Sequence, residues 1–459
     1  MRAPTLPLAI LAIMVCSITV RPQPQQPPPQ WLDAYRDAAR RLLGESLDSD
    51  FAWQRLAILG DTFGHRLSGS AALEHAITWA MGEMKKDGLE NVRAEPVKVP
   101  HWVRGRESAV ITAPFPSALA MLGLGNSVGT PADGIEAEIL VVRSFTELEN
   151  AAARVKGRIV LFNAAFTSYG ETVTYRTGGP SRASALGAVA ALVRSVGPAG
   201  LRTVHTGVTQ YADRVPQIPA AAISTEDADR LQRMQDRGTT VRLRLTMEAR
   251  MLPDADSANV VAEIRGRELP DEVVVVGGHL DSWDVGAGMS DDGGGCVVTW
   301  DALRLLKKLN LRPRRTVRVV LFTNEENGLA GARAYLERYR GQLSNHVMML
   351  ESDGGVFRPT GFGFTGTSSA RATVQQIATL LREIGVDRIG PSGGGADIGP
   401  SVQAGRIPAM SLDVDGEYFL IHHTEADTIE RIDARDMARA AAAIAVMAYV
   451  IADMPERLR

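Results

Sequence analysis

The sequence predicts an α/β fold: a mixed, mostly parallel central sheet sandwiched by helices, with a smaller α/β unit inserted into it. Three observations lead there. Residues 273–276 are four consecutive valines, which suits a strand buried on both faces of a parallel sheet. Apolar runs recur at 316–322 and 347–350 with a helical pattern between the first two, the alternation expected of successive βα units. Between about 111 and 250 the texture changes to short strands separated by glycine, proline and alanine-rich stretches, as an insertion would.

With 459 residues, 45% hydrophobic and 22% charged, the chain is long enough for more than one core. A net charge of -3 spread along the chain leaves no electrostatic footprint for nucleic acid, so small partners are expected. Residues 1–20 carry Arg2 and then an apolar run from Leu6 to Val20. That run falls short of the roughly 18 residues of a spanning helix, so it reads as an export signal and predicts no stable membrane insertion once removed. Residues 21–30 are rich in proline and glutamine, a tether. Cys16 would leave with the signal, and Cys296 alone forms no intramolecular disulfide.

Residues 31–110 form the first part of the main domain, with helices at 31–43, 51–59 and 71–84 and a valine-rich strand at 89–103. His65 lies in the loop G-H-R-L-S-G-S and reads as structural. The insertion, 111–250, has strands at 139–142, 159–162 and 218–223 and an alanine-rich helix at 183–193. The main domain resumes over 251–459. Strands are expected at 258–264, 273–276, 316–322, 347–350, 361–365 and 408–412, and helices up to 309, at 368–384 and at 434–452.

The strand exits carry the chemistry. Gly277 and Gly278 lead into His279 and Asp281, a glycine-spaced loop delivers Asp291 and Asp292, 316–322 runs into Glu325 and Glu326, and 347–350 runs into Asp353. His422 and His423 precede the last helix. Open α/β sheets place their ligand crevices at these carboxyl ends. Like charges gathered there repel unless cations neutralise them. A donor set of His279, Asp291, Glu326, Asp353 and His423, with no thiolate, suits zinc in a catalytic site. Two zinc ions can share it: Asp291 bridging, His279 and Asp353 on one ion, Glu326 and His423 on the other. Singly, a Glu-Glu pair is usually a solvated helix start and Asp-Asp-Gly a turn; the ordered series carries the argument.

The series H-L-D, D-D-G, N-E-E-N-G, S-D-G and H-H-T-E-A-D-T resembles the motifs of the co-catalytic di-zinc aminopeptidase family. Within the insertion, V-K-G-R-I-V-L-F, an alanine-rich helix ending in glycine and I-P-A-A-A-I-S resemble a protease-associated domain, while H-T-G-V-T-Q-Y continues the resemblance to the peptidase family. The resemblance implies a zinc exopeptidase with Glu325 as general base. It places Asp281 on the far nitrogen of His279, Asp427 in the same role near His423, and a cis peptide between Asp291 and Asp292. His422 becomes an oxyanion donor, and Asp397 either meets a substrate's amino group or caps the next segment. It further implies an exported homodimer acting on unblocked dipeptides. Alternatives are a general aminopeptidase, a one-metal glutaminyl cyclase on the same fold, and a receptor-like ectodomain without activity.

Overall fold

The structure, a computed structural model, describes residues 30–198 and 200–458. The expected signal and nearly all of the tether lie outside the described residues. Among those described, no helix is long and apolar enough to cross a membrane.

The first sheet has eight strands in the order Glu90–Val103, Arg250–Ile264, Arg315–Phe322, Leu269–His279, His346–Glu351, Ala409–Asp415, Arg358–Thr365 and Arg388–Gly390. Four of its seven neighbour pairings are parallel, and the antiparallel ones fall toward the two sides. Helices cover both faces. On one, Gly294–Lys308 and Ala434–Asp453 pack against Val274, Val276, Val317 and Val319; on the other, Tyr335 and Tyr339 pack against Val275, Val320 and Met349. Burial on both faces is why the valine run lacks the alternation of a half-exposed strand. Ala440, Ala441, Ala442 and Ala443 are fully buried in the last helix, their small side chains allowing close approach. Asp433 caps that helix, accepting from the amides of Arg435 (2.7 Å) and Asp436 (3.2 Å).

Between Glu90–Val103 and Arg250–Ile264 the chain leaves to build a second eight-stranded sheet, from Glu107 to Met247. Its central strands Ile135–Val142, Ile159–Phe162, Ala190–Arg194 and Ala220–Ile223 run parallel. The expected helix over 183–193 is overturned: the helix is Tyr169–Ala185, Gly187 turns the chain at φ 86°, and Ala190–Arg194 is a strand. Alanine suits a helix by propensity, but here it lets buried strands lie under packed helices, and packing prevails. The helix escaped the sequence reading because Gly178, Gly179 and Pro180 lie inside it. Likewise, the segment 368–384 is an α-helix only over Ser368–Ala378 and tightens to a 3-10 turn over Thr379–Ile384. Trp102, Trp283 and Leu67 carry one core of the second sheet across to the first.

Candidate metal centre

Three parallel strands end side by side. His279 is level with Phe322, and Gly277 with Glu351, so the loops beyond them open onto one edge. The loop 289–293 lies tight against that edge. A Cβ on Gly295 would stand 1.7 Å from the Ser352 carbonyl oxygen, so glycine is required there. Asp292 is the clasp: its carboxylate accepts from the amides of His279 (3.0 Å) and Gly295 (3.2 Å). The Asp291–Asp292 peptide is cis, and Asp291 faces the opposite way, into a cavity of about 500 Å³.

Asp291 is the centre of the cluster. His279 Nε2 stands 3.4 Å from its Oδ1 and 3.5 Å from Asp353 Oδ1. On the other side His423 Nε2 stands 3.2 Å from Asp291 Oδ2 and 3.0 Å from Glu326 Oε2. Donor atoms of His279, Asp291 and Asp353 all lie within 4.8 Å of one another, as do those of Asp291, His422 and His423. His423 has a left-handed backbone, φ 60°, uncommon outside glycine. The two adjacent imidazoles stack at 3.5 Å between centroids, and both face Asp291.

The electrostatics fit a site built for cations. Burial opposes charge on His279 and His423, yet the facing carboxylates override it and hold both imidazoles well above the usual histidine range. Burial would raise Asp291, and the two imidazoles instead hold it well below the carboxylate range. Burial, with Asp291 alongside, pushes Glu326 up to about 7. His279 Nε2, Asp291 Oδ2, Glu326 Oε1 and Asp353 Oδ1 are buried and find no hydrogen-bond partner. Unsatisfied donor atoms converging in pairs are what metal ions would complete. Cys296 offers no thiolate to the set: it is buried, and burial raises its thiol well above the usual range.

A family model for Peptidase family M28 matches residues 259–448. Human carboxypeptidase Q is 47% identical over 407 residues, spanning 89% of this chain and 86% of the human protein. This chain belongs to peptidase family M28. The mouse carboxypeptidase Q is 46% identical over 428 residues, 92% of this chain and 91% of that one. The solved structure of a peptidase M28 precursor from Shewanella amazonensis SB2B superposes with a TM-score of 0.89 at 34% identity, covering 93% of this chain and 98% of that one. A zinc aminopeptidase from Bacillus subtilis shares the fold, with a TM-score of 0.67 at 19% identity over 89% of this chain and 96% of the other. The M28 family match covers the stretch that supplies every member of the cluster.

Within this M28 peptidase, Glu325 lines the same cavity as Asp291, Glu326 and His423. Withdrawal from water, reinforced by Asp353 and Glu326, raises its carboxyl well above the usual range. Asp281 differs from the expected arrangement. The far nitrogen of His279 meets its backbone carbonyl at 2.9 Å, with the carboxylate 3.8 Å away. That carboxylate instead accepts from the amides of Glu325 (3.1 Å) and Glu326 (3.3 Å) and from the Ser68 hydroxyl (3.3 Å). Asp427 likewise accepts from the amides of Ser290 (2.7 Å) and Asp291 (3.1 Å) and makes no bond to His423. In both cases two backbone amides outcompete the imidazole for a buried carboxylate.

His422 lines the cavity with Nδ1 unpartnered, while Asp397 is buried beside Glu351 with neither oxygen bonded; Ala396, not Asp397, reaches the cavity. His65 lies outside the cluster, in a separate crevice beside His101. Sequence reasoning missed two supports. Arg66 donates to the carbonyl oxygens of Leu280, Ala287 and Gly288, bracing the metal-site loop. From the loop between the strands Ala190–Arg194 and Ala220–Ile223, the Thr206 carbonyl lies 3.4 Å from His423 Nδ1, and His205 Nδ1 lies 2.8 Å from the His422 carbonyl. The signal for the latter was the histidine in H-T-G-V-T-Q-Y, read only as likeness.

Proposed function

We propose that this chain is an exported di-zinc exopeptidase that hydrolyses dipeptides with free termini, and that residues 111–250 act as a protease-associated insertion bordering its site. The observation that carries the reading is the shared position of Asp291, with one imidazole–carboxylate pair on each side of it. His279 and Asp353 would hold one ion, Glu326 and His423 the other, and Asp291 both. Zinc held there supplies Lewis-acid polarisation of the scissile carbonyl and a lowered pKa for the attacking water. The names of the relatives, carboxypeptidase Q and zinc aminopeptidase, support an exopeptidase.

The chain's own groups do the rest. Glu325 takes the proton of the attacking water on its carboxylate and returns it to the leaving nitrogen, a role favoured by burial, which raises its carboxyl above the usual range and so its proton affinity. Asp281 fixes the Glu325 backbone, so the base is held by two strand-end loops at once. His422 stands at the cavity wall, where it can donate to the carbonyl oxygen of the substrate. A panel of unblocked dipeptides, amino-terminally acetylated dipeptides and decapeptides tests the reading, each assayed before and after chelation and after zinc is restored. Chelator-sensitive, zinc-restored cleavage of the unblocked dipeptides alone is expected. Release of amino-terminal residues from decapeptides with dipeptides left intact would replace the dipeptidase reading with a general aminopeptidase.

A further inference from the structure

Arg104 stands where the chain first leaves the main sheet for the second unit, directly after the strand Glu90–Val103. Its side chain is 10% exposed, and its five N–H groups face five acceptors. Nε and Nη2 grip the Asp284 carboxylate at 2.8 and 2.5 Å. Nη1 donates to the Gly123 carbonyl at 2.5 Å and to Glu107 at 3.4 Å, and Nη2 reaches the Thr206 hydroxyl at 3.4 Å. Asp284 belongs to the loop running from His279 to Asp291, Gly123 and Glu107 to strands of the second sheet, and Thr206 to the loop after Ala190–Arg194. Stability alone does not account for such a group. A buried ion pair often contributes no more than apolar residues of the same volume, because desolvation offsets the attraction. What it supplies is direction, since the planar fork of a guanidinium accepts a carboxylate in a fixed geometry.

Thr206 passes that direction on. Its hydroxyl donates to the Gly123 carbonyl at 2.8 Å, and its backbone meets His423 twice: the amide donates to the His423 carbonyl at 3.0 Å, and the carbonyl faces Nδ1 at 3.4 Å. With Nδ1 turned to that carbonyl, Nε2 points at Asp291 and Glu326. Beside Asp284, Trp283 seats the same loop on the second unit. Its ring lies 5.7 Å from that of His423, and a Cβ on Gly125 would stand 2.0 Å from it. The other half of the cluster has no such dependence. His279 ends a strand of the first sheet and is bonded to Asp281 and Asp292, and Asp353 follows the neighbouring strand. We infer that Arg104 is a positioning residue for one half of the metal centre: by tying Asp284 to Thr206 it fixes the His423 imidazole, so that the ion assigned to Glu326 and His423 depends on the inserted unit while the ion assigned to His279 and Asp353 does not. This rests on the two-ion reading above.

Calorimetric zinc titration of the chelated full chain tests this without turnover, comparing the unaltered protein with Arg104→Met, Arg104→Lys and Thr206→Val. Arg104→Met should weaken one of the two ions by about 10- to 100-fold, the usual effect of losing a group behind a metal ligand, and leave the other within about threefold. Arg104→Lys should recover only part of the loss, because a point charge cannot hold Asp284, Gly123 and Thr206 together. Thr206→Val keeps the backbone bonds to His423 and removes only the hydroxyl, so it should weaken the same ion by a smaller factor; it decides the matter if Arg104→Met does not fold. Full affinity for both ions in Arg104→Met, or in Thr206→Val where that variant decides, overturns the inference and leaves the two-ion peptidase standing. Equal weakening of both ions does the same, reducing Arg104 to a general support of the fold. A single ion in the unaltered chain overturns both readings, whereas selective weakening in a protein that cleaves no peptide supports the inference and removes the peptidase.

Discussion

Asp281 directs its carboxylate at the amides of Glu325 and Glu326, so one buried charge positions both the base and a ligand. Asp281→Asn turns one acceptor into a donor facing an N–H. It should lower kcat by about 10- to 100-fold, the usual cost of losing a supporting group behind a metal site, with the melting temperature little changed. An unchanged kcat would show that the amides need no such anchor. Glu325→Gln keeps the side chain's shape and removes its proton-carrying capacity, so turnover should fall by about 10²- to 10⁴-fold while zinc content stays at the wild-type level. His279→Ala should do the reverse and shed metal. These side chains were legible in the sequence because each follows a strand end in a short, typed motif. Arg104, Thr206 and the true partners of Asp281 and Asp427 were not, since backbone amides and carbonyls leave no residue signature.

Among the elements, the central strands could be read from apolar runs such as the four valines at 273–276, whereas the Asp433 cap of the last helix shows only in the structure. Asp433→Ala should cost about 1 kcal/mol of stability in denaturant unfolding. Gly295→Ala is far more severe, because its Cβ would collide with the Ser352 carbonyl and the Asp292 carboxylate; soluble protein with intact zinc content would contradict the close approach. The strand His346–Glu351 begins on a buried histidine, bonded to the Tyr335 hydroxyl at 2.9 Å. Burial holds His346 down at about 4, against an ordinary 6.5. Between those values the unfolded chain takes up a proton that the folded chain refuses. Stability is therefore full above pH 6.5, falls as pH drops through the window, and loses up to about 3 kcal/mol by its lower end. His346→Gln should flatten that part of the stability profile, whatever it does to the plateau. What the elements concealed was the second sheet, whose alanine-rich strands look helical until their neighbours are known.

For the whole molecule, loops and a helix from the two sheet units meet at the cavity, and neither unit forms its walls alone. The first supplies Asp291, Glu325, Glu326 and His423; the second supplies Tyr169, Arg176 and Asn126. Thr206 and His205 hold the loop of the two histidines from behind. The sequence revealed the order of these pieces along the chain but not that the inserted stretch folds back over the strand ends, because side-chain spacing does not encode a contact between distant segments. Everything proposed here requires two ions sharing Asp291. Zinc titration of the chelated protein by calorimetry addresses that requirement directly, using the unaltered chain beside Asp291→Ala. The account predicts two zinc ions per chain and weakened binding of both in the variant. A single ion in the unaltered chain, or two retained at full affinity without Asp291, would contradict it.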